Sequence, residues 1–290
     1  MAEINRLHFK GSSSFHFGVS SGCRDSAHDY MMHTKRHQSQ VTECVSPFEE
    51  AATYDSKHGK LNERLTKEIQ ARLDWIGVNW ASTDDDSDES EDESRCAEGH
   101  KPTKSKREVR LLDYACGTGM MSKALAPYTT QCVGIDISEN MVAAYNSQAE
   151  NQGLSHGEMH AVVGDLAAAD GPQPANLLSD PRFFGFDVAT VGGGLHHFAD
   201  PELAAARLVE RLRPGGVLLV WDFLPHGPIR GHQHGVMHHG LSEERVRTMF
   251  EGAGAGKGFS LEVLGSGLTF SSGDEVMRRE VFLARGEKEA

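Results

Sequence analysis

The pattern of apolar and polar positions divides the chain before any motif is read. Residues 1–46 are polar, rich in Ser and His, and hold no sustained period, which predicts a disordered tail. From Phe48 the pattern changes. Leu61, Leu65, Ile69, Leu73 and Ile76 recur at spacings of three and four, one apolar stripe on a helix that ends near Gly77. Residues 47–80 are therefore expected to form a helical segment packed on the rest of the protein. Residues 81–108 are low in complexity, first acidic and then basic, with Pro102 and no aromatic residue, which reads as a solvated excursion.

From Val109 onward, short β-rich runs alternate with helical stretches. The runs are VRLLDYA, QCVGIDI, MHAVVGDL, FDVATVGG and GVLLVWDF; helix formers follow Met121, Glu139 and Pro201, and RPGG closes the last helix. This alternation predicts a parallel sheet with helices on both faces. Two further strand candidates, FSLEVLGSGLTF and EVMRREVFLARG, look like a hairpin closing one edge. The expected fold is thus α/β, a doubly wound sheet of about seven strands with one antiparallel edge hairpin, in a core domain spanning residues 109–286.

Composition narrows the functions. One tract from Asp84 to Glu93 supplies eight acidic side chains toward a net charge of −13, and the remainder is mildly acidic. No basic field exists to attract phosphate backbones, so nucleic acid is not an expected partner. No apolar run approaches the ~18 residues of a membrane span, so no membrane partner is expected. Cys23, Cys44, Cys96, Cys116 and Cys132 are odd in number and contain no CxxC pair, which argues for a reducing compartment and against a zinc ribbon. The cytoplasm fits; KPTKSKR leaves the nucleus as an alternative, and Glu3 weighs against mitochondrial import. The charged excursion could recruit a protein partner or be phosphorylated at Ser90, or serve as a spacer.

Ligands of an open parallel sheet sit beyond the carboxyl ends of its strands. The first strand ends in DYACGTG, where Gly117 and Gly119 allow a sharp turn and close approach of backbone to a ligand. Position 122 is Ser where a dinucleotide loop would carry a third glycine, and no Tyr has a Lys four residues on, so hydride transfer loses ground. GAGAGKG near Lys257 lacks the leading Gly and the Ser or Thr of a phosphate loop. Asp136 ends the second strand, where a carboxylate can accept from two adjacent ribose hydroxyls, and Ser138 is placed to cap the next helix. Asp165 ends the third, positioned to accept from an exocyclic amine, with Leu166 offering an apolar face to a purine.

Three acids and a glycine turn on successive strand ends resemble the class I S-adenosylmethionine-dependent methyltransferases, and the resemblance runs from Val109 to about Arg285. LHHF followed by LRPGGVLLVWDF is similar to their small-molecule branch, which includes quinone-biosynthesis enzymes. The resemblance implies a Rossmann-like sheet with S-adenosylmethionine as cofactor. Gly117 and Gly119 would line its methionine moiety, with Ala115 among the contacts and Asp113 near the amino group. Asp136 would hold the ribose, Asp165 and Leu166 the adenine, with Ile137 and Met141 against the ring. FEEAATYD is similar to the family's amino-terminal lid, which would bring Tyr54 and Asp55 over the cofactor. The excursion between this lid and the first strand departs from the family pattern.

The implied activity is methyl transfer to a small-molecule acceptor at oxygen, nitrogen, sulfur or an activated carbon. A base is required only when the acceptor must lose a proton. His197 and His196 follow the fourth strand and are the candidates, with bracing of the helix near Pro201 as the alternative role. The loop HGPIRGHQHGVMHHG carries His226, His232, His234, His238 and His239. His234, His238 and His239 are candidate substrate contacts; a mobile polar lid is an equal reading, and a metal site is disfavoured because the loop has no Cys, Asp or Glu. Cys116 is read as packing rather than nucleophilic. The alternative to an enzyme is a regulatory or scaffold protein that keeps this fold and binds a partner through residues 81–108.

Overall fold

The computed structural model describes residues 47–81, 107–167, 179–227, 236–264, 268–272 and 275–290. The expected tail, nearly all of the charged excursion, and His232 and His234 lie outside them. Helix α1 runs Pro47–Gln70 and α2 runs Leu73–Ile76; strand β1 spans Arg110–Tyr114, α3 Met120–Leu125, β2 Gln131–Asp136, α4 Glu139–Asn151 and β3 Met159–Val163. Then follow β4 Phe186–Gly192, α5 Pro201–Arg211, β5 Leu212–Phe223, α6 Glu243–Gly252, β6 Lys257–Val263, β7 Leu268–Ser272, β8 Glu275–Arg279 and β9 Val281–Glu287. Seven strands form one sheet in the order β3-β2-β1-β4-β5-β9-β6. Its first five strands are parallel, while β9 runs antiparallel to both β5 and β6.

The continuous apolar runs follow from burial on both faces. Leu111 joins a core with α1, α3 and α4 residues such as Leu65, Met121 and Tyr145. Its neighbour Leu112 points the other way, into a core with Leu208 of α5 and Phe250 of α6. Ser138 caps α4 by accepting from Met141 N at 3.3 Å, as expected, and Asp200 and Ser242 cap α5 and α6 in the same way. No helix among the described residues is long and apolar enough to cross a membrane.

Three elements differ from expectation. The helix that should run unbroken to Gly77 breaks at Arg72, whose N–H bonds Ile69 O in a tightened turn while its guanidinium reaches back to Glu68. RPGG opens β5 instead of only ending α5: Leu212 pairs with Phe186, and a register shift follows before Val188 meets Val217. Pro214 keeps Arg213 out of the helical region, and the positive φ of Gly215 supplies the bulge. The two candidate strands at the carboxyl end are four among the described residues: β9 and β6 form the expected antiparallel edge of the main sheet, and β7 and β8 pair with each other.

Asp113 also departs from its expected place near a cofactor amino group. It is 1% exposed and turned inward, accepting from Ser122 N at 3.0 Å, Ser122 Oγ at 2.8 Å and Thr190 Oγ1 at 3.3 Å. Tyr145 donates in turn to Ser122 Oγ at 2.8 Å. The Ser at the position of a missing third glycine thus completes a buried polar chain that fixes α3 to β1. Burial pushes the Asp113 carboxyl up to about 7, against the lowering effect of these hydrogen bonds.

Two outcomes follow. Leu65 is fully buried, so Leu65→Ala should cost about 2–5 kcal/mol in urea denaturation, whereas a segment lying loosely on the surface would lose almost nothing. Between pH 4 and 7 the folded chain keeps the Asp113 proton better than the unfolded chain does. Stability should therefore decline as pH rises through that window, by on the order of 4 kcal/mol from this group, and be flat in it above about 7. Asp113→Asn should remove that decline; denaturation midpoints across pH test it.

Candidate functional site

The strand order reverses between β1 and β4, which opens a crevice beyond their carboxyl ends. The turn leaving β1 is bent to fit it. Ala115 has φ +51, the one positive φ at a non-glycine among the described residues, a conformation costing roughly 1–2 kcal/mol. Gly117 has φ +52, and a Cβ built there would meet nothing within 4 Å, so its bare backbone faces open space. At Gly119 a Cβ would instead sit 2.8 Å from the Tyr145 ring, so that glycine permits packing under α3.

Asp136 ties this turn to the next strand end. Its Oδ2 accepts from Gly117 N and its Oδ1 from Ser138 N, both at 2.9 Å. Each oxygen keeps a lone pair for a further donor. At the third strand end, Tyr114 OH donates to Asp165 Oδ1 at 2.9 Å and accepts from Leu166 N and Ala167 N at 3.2 Å each. Burial holds the Tyr114 phenol well above its ordinary pKa, so it remains a donor.

Two cavities adjoin here. The larger, about 740 Å³, is lined by Ala115, Gly117, Asp136, Ile137, Met141 and Asp165 among others, and Ile137 is 71% exposed toward it. The smaller, about 260 Å³, is closed by His58, Leu61 and Asn62 of α1, Met120, Trp221, Phe223 and His196. Ala115, Gly117, Gly192, Gly193 and His197 line both and form the seam. Gly193 sits under Trp221: with φ +64, a Cβ there would lie 2.4 Å from the indole ring.

His196 and His197 occupy a short turn after β4, their rings 4.0 Å apart. His196 Nδ1 lies 2.8 Å from Oδ1 of Asp222, a fully buried carboxylate that also accepts from His196 N at 3.1 Å and Phe223 N at 2.7 Å. The His196 carbonyl accepts from Met237 N and His238 N, which anchors the return of the His-rich loop.

The structure thus brings Ala115, Gly117, Asp136, Ile137, Met141, Asp165 and His197 to one cleft. It does not bring Asp113, Gly119 or Leu166 there; Leu166 is 4% exposed and packed in the core on the α5 side. Tyr54 lies in α1, with its side chain outside the described residues. His238 faces Arg245, with Nδ1 3.2 Å from the guanidinium, and His239 packs on His226, so neither lines the two cavities. Cys116 is buried with its thiol pushed well above the ordinary range by desolvation, which suits packing. Asp222 is the residue that sequence reasoning missed, although an acid at the end of the fifth run was a signal of the same kind as the others.

A family model described as a methyltransferase domain matches residues 112–218. An uncharacterized methyltransferase of Schizosaccharomyces pombe is 32% identical over 154 residues, covering 50% of this chain and 52% of that protein. A demethylmenaquinone methyltransferase of Thermus thermophilus is 36% identical over 119 residues, covering 40% and 48%. The chain therefore spans about half the length of these curated relatives. In fold it is similar to a chain of the complex between a Haloferax volcanii methyltransferase activator and a methyltransferase, with TM-score 0.51, 15% identity, and coverage of 85% of this chain and 97% of that one. The crevice at the switch point and the glycine turn both draw on the segment, residues 112–218, that is similar to the methyltransferase-domain model.

Proposed function

We propose that this protein transfers a methyl group from S-adenosylmethionine to a small-molecule acceptor. The observation that carries the reading is the placement of Gly117, Asp136, Ile137 and Asp165 along one cleft that abuts a second, smaller cavity. The cleft fits the group chemically. Gly117 leaves space where a Cβ would intrude, Asp136 has two free acceptor sites for a pair of hydroxyls, and Ile137 offers exposed apolar surface to a flat ring. Asp165, oriented by Tyr114, would accept from the adenine amine, and Met141 would pack on the ring. Ala115 and Gly117 would lie along the methionine tail. When bound, the cofactor supplies a methyl group activated by a positively charged sulfur.

The acceptor would occupy the smaller cavity, with α1 closing it through His58, Leu61 and Asn62. This assigns α1 the role of a lid whose far end is anchored in the core at Leu65 and Ile69. Residues on the seam would hold the reacting atoms in line and keep water out. Orientation of that kind is worth roughly 7–11 kcal/mol, so most of the acceleration would need no acid or base. The name of the Thermus relative, a demethylmenaquinone methyltransferase, supports a small molecule as acceptor.

Calorimetric titration tests the cleft. Asp136→Ala should weaken S-adenosylmethionine binding by about 10- to 150-fold, as expected for lost hydrogen bonds to a charged group; unchanged affinity removes the ribose contact. Gly193→Ala should cost about 2–4 kcal/mol in denaturant midpoint, because it combines an unfavourable backbone region with overpacking against Trp221.

A further inference from the structure

We infer that His196, held by Asp222, removes a proton from the acceptor, and that the acceptor class is therefore one whose attacking atom is a neutral, protonated hydroxyl. The inference rests on reading the larger cleft as the methyl-donor site and assigns the chemistry of the cavity beside it.

Asp222 is a carboxylate with no exposure, and its two oxygens accept from His196 N, Phe223 N and the His196 ring. An acceptor-only group facing Nδ1 at 2.8 Å requires Nδ1 to carry the hydrogen. In the neutral ring, Nε2 is then the basic nitrogen. His196 lines the smaller cavity and not the larger one, so the base stands on the acceptor side of the seam. Its ring is clamped from three sides: Asp222 through Nδ1, Phe223 edge-on at 5.1 Å between centroids, and His197 at 4.0 Å. Its backbone is fixed by the bonds its carbonyl accepts from Met237 N and His238 N.

The step balances in atoms and charge. The hydroxyl oxygen forms the bond to the methyl carbon, the carbon–sulfur bond breaks with its electron pair left on sulfur, and the hydroxyl proton passes to Nε2. Positive charge leaves the sulfur and appears on the imidazolium, where the Asp222 carboxylate faces it. Solvent takes the proton after the product departs. Asp222 acts through His196 and is a positioning residue. A tertiary amine or an already ionised thiol would need no such pair, whereas a hydroxyl stays protonated at neutral pH and must give up its proton as the new bond forms.

The test uses single-ring probes at pH 8: catechol and benzyl alcohol as hydroxyl acceptors, and thiophenol, which ionises without help. The expected result is methylation of at least one hydroxyl probe by the unchanged protein. His196→Gln should lower that rate by roughly 100- to 10,000-fold, change thiophenol methylation by less than about threefold, and leave S-adenosylmethionine affinity within about twofold. Asp222→Asn should lower the hydroxyl rate with the acceptor KM kept within about threefold. Nitrogen NMR of the histidine rings gives a readout independent of turnover: His196 should be protonated at Nδ1 only, and Asp222→Asn should shift the proton toward Nε2. The inference fails if no hydroxyl probe is methylated, if both probe classes fall alike in His196→Gln, or if Nε2 carries the proton in the unchanged protein. Loss of S-adenosylmethionine binding by the unchanged protein would instead overturn the reading of the larger cleft.

Discussion

One carboxylate joins the two loops on which the cleft is built. Asp136 takes one backbone N–H from the turn after β1 and another from the start of α4, so two loops from different strands are held in one arrangement by one side chain. The clamp works because both bonds are to a charged acceptor that is only 8% exposed, where such bonds are stronger than in water. The strain at Ala115 and the open backbone of Gly117 sit within the turn that this clamp secures. The same side chain therefore holds the two loops that form the cleft and keeps lone pairs for a further donor within it.

The β-sheet register does the comparable work on the other side of the seam. Gly192 pairs with Trp221 across β4 and β5, and Gly193 N bonds Trp221 O at 2.8 Å. That pairing puts Asp222 one residue beyond the last paired position, level with the turn that carries His196. Side chains alternate along β5, so Trp221 and Phe223 face the cavity while Asp222 approaches His196 from within. A shift of one residue would exchange these faces and separate the acid from the ring.

Much of the sheet and part of the cleft were legible because each rests on local pattern. The five parallel runs, the stripe from Leu61 to Ile76 and the acids ending β2 and β3 all announce themselves within a few residues. What escaped depends on distant pairing. Asp113 looks like Asp136 and Asp165 in sequence, yet its partners Ser122 and Thr190 turn it inward, and only the replacement of glycine by Ser122 hinted at this. Leu166 follows an acid that lines the cleft, but the adjacent position faces the core. The pairing of Asp222 with His196 spans 26 residues and two strands, and no local spacing encodes it. The carboxyl end reads as two strands in sequence and is four in the structure, because hydrophobic alternation cannot show which of its pieces joins the main sheet.

The unfavourable backbone of Ala115 bears on how the cleft meets an occupant. Its conformational cost is met during folding, before any ligand arrives, by the clamp at Asp136 and the packing of neighbouring strands. A turn already fixed in a bent shape loses little freedom when a guest settles against it. Recognition at this floor would then proceed as docking onto a rigid surface, and the adaptive movements would fall to the α1 side of the smaller cavity.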